Sequence, residues 1–283
     1  MGIKIDLEEE FLDYCFDGKL NEVSACLTLK ADVNTKSEDG FWSALTIAVH
    51  MNNPELLEVL LSQTNIDVNL TSSHACTKSG NIYQWTPLMF ACFWGNTDSV
   101  ARLAKVPRLS LNSIDNSGDS AAHKACEKGH TGCVKILAEA GAGRVDWNKG
   151  NRRGQTPLFL AVEGRHAEIV KIIVKQPNIN YNVRSDNDQT LVEVAINGGD
   201  QKCLEILASQ RNCGGWTTSD KNGDIPVMMA LKTNKIEMVK YLITLPQVKP
   251  ALALARDSAG WSLLSRAIST KQVGKSLVFI RTL

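Results

Sequence analysis

The feature that most constrains this chain of 283 residues is a six-residue block that recurs seven times. Most blocks open on Ser or Thr and all close on Ala: SALTIA from Ser43, TPLMFA from Thr86, SAAHKA from Ser120, TPLFLA from Thr156, TLVEVA from Thr190, IPVMMA from Ile225 and SLLSRA from Ser262. Successive starts lie 43, 34, 36, 34, 35 and 37 residues apart. A nearly fixed period of this size indicates one supersecondary unit stacked repeatedly along the chain.

Each block is followed by a turn and then by a second apolar run. Gly95-Asn96 precedes VARLA, and Gly129-His130 precedes VKILA. The apolar residues of these runs are spaced i, i+3, i+4, which is one face of a helix. Ser or Thr at the start of a block can cap the first helix, and Pro in the next position needs no helical N–H partner. The pattern therefore predicts two short helices in each unit, joined by a tight reversal.

A third pattern closes most units and leads into a polar tip that often contains Gly. Examples of the closing pattern are DVN from Asp32 and from Asp67 and DWN from Asp146, and examples of the tip are DNSG at 115–118 and DKNG at 220–223. Gly accepts the positive φ that a hairpin-like turn requires. The aromatic residues Trp147, Trp216 and Tyr181 occupy the Val position of the closing pattern, so we expect them inside the fold.

The segments TPLMFACFWGN and SAAHKACEKGHTGCVKILAEAGA resemble the ankyrin-repeat pattern T-P-L-H-x-A-A-x-x-G-H. The resemblance covers almost the whole chain. It implies an all-α solenoid of about eight stacked helix pairs with hairpin-like tips. One departure is Ile225, which opens the sixth block and cannot supply a capping oxygen.

The resemblance divides the chain as one ankyrin-repeat domain over 1–283. Residues 6–34 lack the TPLH block but keep helix, Gly turn and helix, so they are predicted to form an N-terminal capping repeat. The predicted repeats are 35–69, 85–112, 115–148, 151–182, 185–217, 220–248 and 257–283. Residues 70–84 are an insertion, which we expect to be a flexible polar loop on the surface. His74 and Cys76 in that loop are only two ligands and do not make a metal site.

Composition excludes several classes of function. The chain has 31 Lys and Arg residues and 30 Asp and Glu residues. Its net charge of +1 therefore produces no overall positive potential that would attract nucleic acid or an anionic membrane. The sequence contains no stretch of 18 uncharged apolar residues, so it predicts no membrane span. The eight cysteines form no C-x-x-C pair, which favours reduced thiols in the core of a cytoplasmic protein, with the nucleus as the alternative. We expect a monomer without cofactor, metal, nucleic-acid partner or membrane partner.

The sequence carries no motif of a known catalytic centre. It lacks G-x-S-x-G, a Walker loop and H-E-x-x-H. Cys126 and His130 are four residues apart, but both occupy structural positions of the ankyrin pattern. Lys149, Arg152 and Arg153 share one tip, where a solvated basic turn and a phosphate contact are both open interpretations. We therefore predict that the chain is not an enzyme.

The resemblance implies that the tips and first helices line a concave face that binds a partner protein or peptide. The candidate contact residues carried over from the pattern are Trp42, His50, Met51, Tyr83, Trp85, Phe93, Trp94, Glu127, Lys128, Arg152 and Arg153. Aromatic residues dominate the first part of this set, as they do in interface hot spots. Either these rings form an interface, or they pack against the inserted loop and each other.

The predicted function is therefore a protein-binding scaffold or adaptor. Two alternatives share the same fold. The chain could mask a transcription factor as an inhibitor, or it could recognise substrates for a larger enzyme such as a ubiquitin ligase.

Overall fold

Sixteen helices and one pair of strands form the residues that the computed structural model describes, which are 7–75, 82–141, 143–257 and 259–269. The chain divides into two compact units, unit 1 (Met1–Trp147) and unit 2 (Asn148–Leu283). Unit 1 contains α1 (Leu7–Asp17), α2 (Leu20–Thr28), α3 (Ala44–His50), α4 (Pro54–Leu61), β1 (Ser72–Ala75), β2 (Ile82–Trp85), α5 (Pro87–Trp94), α6 (Thr97–Ala104), α7 (Ala121–Lys128) and α8 (Thr131–Gly141). Unit 2 contains α9 (Pro157–Glu163), α10 (Ala167–Ile173), α11 (Leu191–Gly198), α12 (Gln201–Ala208), α13 (Pro226–Lys232), α14 (Ile236–Thr244), α15 (Lys249–Leu252) and α16 (Leu263–Ser269).

The first helix of a repeat begins where the sequence places its cap. The Thr86 hydroxyl accepts a hydrogen bond from the Met89 backbone N–H at 3.3 Å, and Pro87 takes the first helical position. The same helix stops at Gly95, whose φ of 78° lies in the left-handed region that a residue with a Cβ adopts at a cost. At the sixth block Ile225 provides no side-chain cap and the helix begins on Pro226 alone, as predicted.

Neighbouring helix pairs lie side by side within each unit. In unit 1, α5 packs between α3 and α7, while α6 packs between α4 and α8; in unit 2, α11 packs between α9 and α13. The second helices supply much of the core: Leu56, Leu57 and Leu60 of α4 are fully buried. Burying one such side chain stabilises the fold by about 1.5–3 kcal/mol. The prediction of an all-α stack of helix pairs is confirmed.

Asparagines of the closing pattern join each repeat to the next. In unit 1 the Asn69 side chain donates to the Arg108 carbonyl at 3.0 Å and accepts from the Ser110 N–H at 2.8 Å. In unit 2 Asn148 forms the same two bonds to the backbone of Asn178 and Asn180. Each of these side chains therefore satisfies two backbone groups of the following repeat, which explains why Asn recurs at this position.

The tips are held in place by an acidic or amide side chain that accepts hydrogen bonds from two backbone N–H groups. Asp220 accepts from the N–H groups of Asn222 at 2.8 Å and Asp224 at 2.9 Å. Isolated antiparallel bridges flank three of the tips, including the bridge between Arg184 and Thr190. Hairpin-like tips are thus present in both units.

The insertion at 70–84 differs from the flexible loop that we expected. Strands β1 and β2 pair antiparallel, with Ser72 opposite Trp85 and Ala75 opposite Ile82. The Ser73 N–H also donates to the Gly40 carbonyl at 2.8 Å, which fastens the hairpin to the preceding tip. Ile, Tyr and Trp in β2 favour extended structure, and this outweighs the polar composition of the segment. Residues 76–81, including Cys76, lie outside the described part of the chain.

The two ends agree with the predicted helix pattern where they are described. In 6–34 the helices α1 and α2 flank Gly18, whose φ is 67°. In 257–283 the helix α16 is present, whereas the rest of this predicted repeat, 270–283, lies outside the described residues. The division into one domain with a capping repeat stays a prediction.

The described thiols are buried, as the sequence indicated. Seven cysteines are free and buried. Burial raises the pKa of Cys15 to about 12 and that of Cys213 to about 12, which keeps both thiols protonated. The aromatic rings of Trp147 and Trp216 are also buried, in agreement with their predicted role as filler, and Tyr181 is half-buried. Among the described helices, none has both the length and the hydropathy needed to cross a bilayer.

Candidate partner-binding surface

A row of aromatic rings runs across the ends of three successive first helices in unit 1. Phe16 of α1 contacts Trp42 with ring centroids 5.3 Å apart, and Trp42 contacts His50 of α3 at 4.9 Å. His50 contacts Trp94 of α5 at 4.6 Å, and Trp94 contacts Phe93 at 6.4 Å. We call these five residues the aromatic strip. Most of the predicted contact residues of unit 1 are therefore in or beside one continuous row.

The repeat geometry places the strip. His50 and Trp94 are the last residues of α3 and α5, and Phe16 precedes the last residue of α1, so the C-terminal ends of three neighbouring first helices meet along the strip. The Asn96 side chain donates to the Val49 carbonyl at 2.5 Å and holds the two helix ends together. His50 is exposed and the other four rings are half-buried. Met51 lies next to the strip and is 50% exposed.

Trp85 does not belong to the exposed surface. Its side chain is only 3% exposed, because His74 of the hairpin stacks on it at 3.9 Å between centroids. Its indole Nε1 donates to Asp115 Oδ2 at 2.8 Å. This is the packing alternative that the sequence left open, so we remove Trp85 from the candidate contacts. Tyr83 of the same strand is half-buried, with its ring 6.3 Å from that of Trp85.

A buried lysine beneath the hairpin was missed by the sequence analysis. Lys124 is 5% exposed, and its Nζ lies 2.8 Å from Asp115 Oδ2 and 2.8 Å from Asp119 Oδ2. The ammonium also sits 4.8 Å from the centroid of the Trp85 ring. Burial alone would lower the pKa of Lys124, but Asp119 and Asp115 outweigh it and the pKa is raised. The ammonium group is therefore charged. It joins the tip at 115–118, which precedes the third block, to the hairpin.

A signal for this cluster was present in the block itself. Lys124 occupies the fifth block position, where Ile47, Phe90, Leu160, Val194 and Met229 stand in other repeats. A charged residue at an apolar position requires a buried partner. Arg266, the second exception, pairs with Asp257 in the same way.

The His74 side chain packs as an aromatic ring in this arrangement. It is half-buried against Trp85, and burial followed by the charge of Lys124 lowers the pKa of His74. Among the described residues, no group of three or more His, Cys, Asp or Glu side chains is placed to hold a metal ion.

The remaining charged candidates are all exposed. In unit 1 the Lys128 Nζ lies 4.8 Å from the centroid of Phe93 and 3.1 Å from Glu127 Oε1. Lys128 thus extends the aromatic strip at the end of α7 with a cation. In unit 2 Arg152 and Arg153 project from the tip before α9, and they form no part of the strip as it is described in unit 1.

Comparison with known families decides the assignment that the repeats suggest. A family model described as ankyrin repeats (3 copies) matches residues 14–108, 70–148, 106–185 and 143–219. The chain belongs to the ankyrin-repeat family. Ankyrin repeats are generally protein–protein interaction modules and are generally non-catalytic.

Ankyrin relatives include proteins of very different size. The putative ankyrin repeat protein YahD of Escherichia coli (strain K12) is 29% identical over 214 residues, covering 73% of this chain and 98% of its own. Transient receptor potential cation channel subfamily A member 1 of Homo sapiens is 26% identical over 159 residues, covering 55% of this chain and 14% of its own. The poly [ADP-ribose] polymerase tankyrase of Caenorhabditis elegans is 26% identical over 224 residues, covering 65% of this chain and 9% of its own. The chain thus spans nearly all of one relative and a small part of the other two.

Proposed function

We propose that the chain is a protein-interaction module and that unit 1 binds a segment of a partner protein through the aromatic strip. The observation that carries the proposal is the row of partly exposed rings from Phe16 to Phe93. Trp and other aromatic side chains are enriched in interface hot spots because they bury large area at a small entropic cost. Ankyrin repeats generally bind proteins, which supports the same reading.

The chemistry of the strip favours a partner segment with an apolar or aromatic anchor. Met51 is half exposed beside His50, so an anchor could pack against a thioether and two indole rings at once. Lys128 lies over one face of Phe93 at the other end. A carboxylate or a carbonyl oxygen next to the anchor would complement that ammonium.

The proposal can be tested without knowing the partner. Peptides selected from a displayed random library against the whole chain are first checked for an apolar or aromatic anchor. Their dissociation constants are then measured with the wild type and with Trp94→Ala. We expect a loss of about 2 kcal/mol, which is about thirty-fold in affinity, because Trp94 is a partly exposed indole that contacts both His50 and Phe93 of the strip.

Two further variants make the result specific. Met51→Ala shortens a side chain that is 50% exposed, so it should weaken peptide binding while changing thermal unfolding little. Trp261→Ala removes a 42% exposed Trp of unit 2 and should change nothing. Peptides that bind Trp94→Ala and Met51→Ala as tightly as the wild type would refute the strip as the site.

The role that we propose for such a module is that of a scaffold or adaptor in the cytoplasm. Recognition of substrates for an enzyme is the second candidate, because the tankyrase relative is named as a polymerase and contains the similar segment in a much longer chain. The same strip would serve in either role. Identifying the proteins that crosslink to the wild type but not to Trp94→Ala would distinguish the scaffold or adaptor role from substrate recognition.

A further inference from the structure

Unit 2 contains a cavity that the aromatic strip does not explain. It has a volume of about 300 Å³ and lies between two neighbouring repeats. One wall comes from α11 and the tip before it, and the other comes from α13 and the tip before it; these two helices pack against each other. The volume is at the lower end of ligand sites, which suits a single side chain better than a large molecule.

Carboxylates predominate among the charged side chains that line the cavity. The acidic residues are Asp188, Glu193, Asp220 and Asp224, and the basic residues are Lys221 and Lys232. Lys232 is already bound, since its Nζ lies 2.6 Å from Asp224 Oδ2. Asp188 pairs with Arg184 at 3.2 Å, and Asp220 accepts backbone bonds of its own tip.

Glu193 is the exception among these carboxylates. The residue is 2% exposed, and its Oε2 accepts the Thr190 N–H at 3.4 Å. Its Oε1 has no hydrogen-bond partner within the described ranges of the chain. A buried acceptor that lacks a donor costs about 1–3 kcal/mol, and more when it is charged. Because Glu193 lines the cavity, a donor bound there would stabilise this oxygen.

We propose that this cavity binds an alkylammonium group, such as the side chain of a lysine in a partner polypeptide, with Glu193 as its carboxylate. An ammonium ion is a compact charge with three donors, so it can use a single open oxygen. A guanidinium group binds a carboxylate best as a fork that uses both oxygens, and Oε2 already accepts the Thr190 N–H. A small rotation about χ3, a soft torsion, turns Oε1 towards the ligand and leaves Oε2 beside the Thr190 N–H. Amide groups of Asn187, Gln189 and Asn197 line the same space and can accept the remaining donors.

This inference is independent of the proposed function, because it concerns a different unit and different chemistry. The cavity can bind an ammonium group even if the aromatic strip binds no peptide. The strip can likewise bind a peptide even if the cavity binds no ammonium group. The two are tested with separate probes and separate variants.

The test uses the whole chain with methionine methyl groups labelled with ¹³C. Met229 lines the cavity, whereas Met238 does not and serves as the internal reference. Titration with Nα-acetyl-lysine methylamide should move the Met229 signal in a saturable way. The Nα,Nε-diacetyl compound, which lacks the charge, should not move it, and Nα-acetyl-arginine methylamide should bind more weakly.

Matched variants then assign the effect to Glu193. Glu193→Gln keeps an oxygen for the Thr190 N–H and should weaken the lysine probe by about tenfold or more. Glu237→Gln makes the same change on the exposed face of α14 and should leave binding unchanged. Thermal unfolding checks that both variants fold.

A final arm separates the two sources of the ammonium group. Tighter binding of the lysine diamide than of putrescine assigns the cavity to a polypeptide side chain, and the reverse order assigns it to a free alkylamine. No saturable shift of Met229, an equal shift with the diacetyl compound, or unchanged binding to Glu193→Gln would overturn the proposal.

Discussion

Replacing Lys124 with Met should destabilise unit 1, although the equivalent position is apolar in most other repeats. Met keeps the length and most of the volume of Lys but removes the ammonium. The fully buried Asp115 side chain loses its contact with the ammonium at 2.8 Å, and the Asp119 side chain, which is 14% exposed, loses its own contact at 2.8 Å.

The size of the effect follows from what remains around Asp115. Breaking a buried ion pair by removing one partner costs about 3–5 kcal/mol, because an uncompensated charge is left inside. Asp115 keeps the indole N–H of Trp85 and the backbone N–H groups of Ser117 and Asp119. We therefore expect a loss at the lower end, about 3 kcal/mol in the free energy of unfolding.

Urea denaturation of Lys124→Met at neutral pH measures this value, and Lys128→Met is the matched control. Lys128 is exposed and has only the ring of Phe93 and the carboxylate of Glu127 beside it, so its replacement should cost less than about 1 kcal/mol. A loss below about 1 kcal/mol for Lys124→Met would refute the reasoning that the cluster is a buried charge network.

The same variant has a predicted pH dependence. Burial acts to raise the pKa of Asp115, but the hydrogen bond and charge of Lys124 outweigh it, so the pKa lies below its ordinary value. A carboxyl group with a depressed pKa stabilises the fold above its unfolded pKa and loses that contribution as pH falls through its folded pKa. The difference between wild type and Lys124→Met should therefore shrink in acid.

Two further perturbations test the asparagine hydrogen bonds between repeats and the unit 2 cavity. Asn69→Ala removes two exposed hydrogen bonds between repeats, so the free energy of unfolding should fall by about 1–2 kcal/mol in a denaturant titration; no change would show that these hydrogen bonds between repeats are dispensable. For Glu193, burial raises the pKa against the opposing hydrogen bonds of Thr190, so its ionisation destabilises the fold as pH rises from the unfolded to the folded pKa. Glu193→Gln should therefore be at least as stable as the wild type at pH 7, with the difference vanishing below about pH 4, and a variant markedly less stable at pH 7 would contradict this.

The helix pairs could be predicted from the sequence because their determinants are local. Thr86 and Pro87 specify where a helix begins, and Gly95 specifies where it ends, all within a few residues. The repeat then shows which positions are equivalent, so Trp42 and Trp94 could be placed on neighbouring repeats without a structure.

The hairpin and the charge cluster could not be predicted in the same way. Trp85 is buried because His74 covers it and because Asp115, thirty residues later, accepts its N–H. Such contacts join an insertion to a tip of another repeat, and the repeat pattern contains no information about the insertion. The charged residue at the apolar position of Lys124 was the one local sign that something unusual was buried there.

The most direct test of the central claim is ¹⁹F NMR of the chain labelled with fluorotryptophan at its six Trp positions. Addition of a peptide selected on the whole chain should shift the signals of Trp42 and Trp94. The buried Trp147 and Trp216, and Trp261 of unit 2, should keep theirs. Two results would show that the aromatic strip is not the site that binds a partner. Either the shifts are confined to the Trp261 signal, or the chain is saturated with peptide while the Trp42 and Trp94 signals do not move.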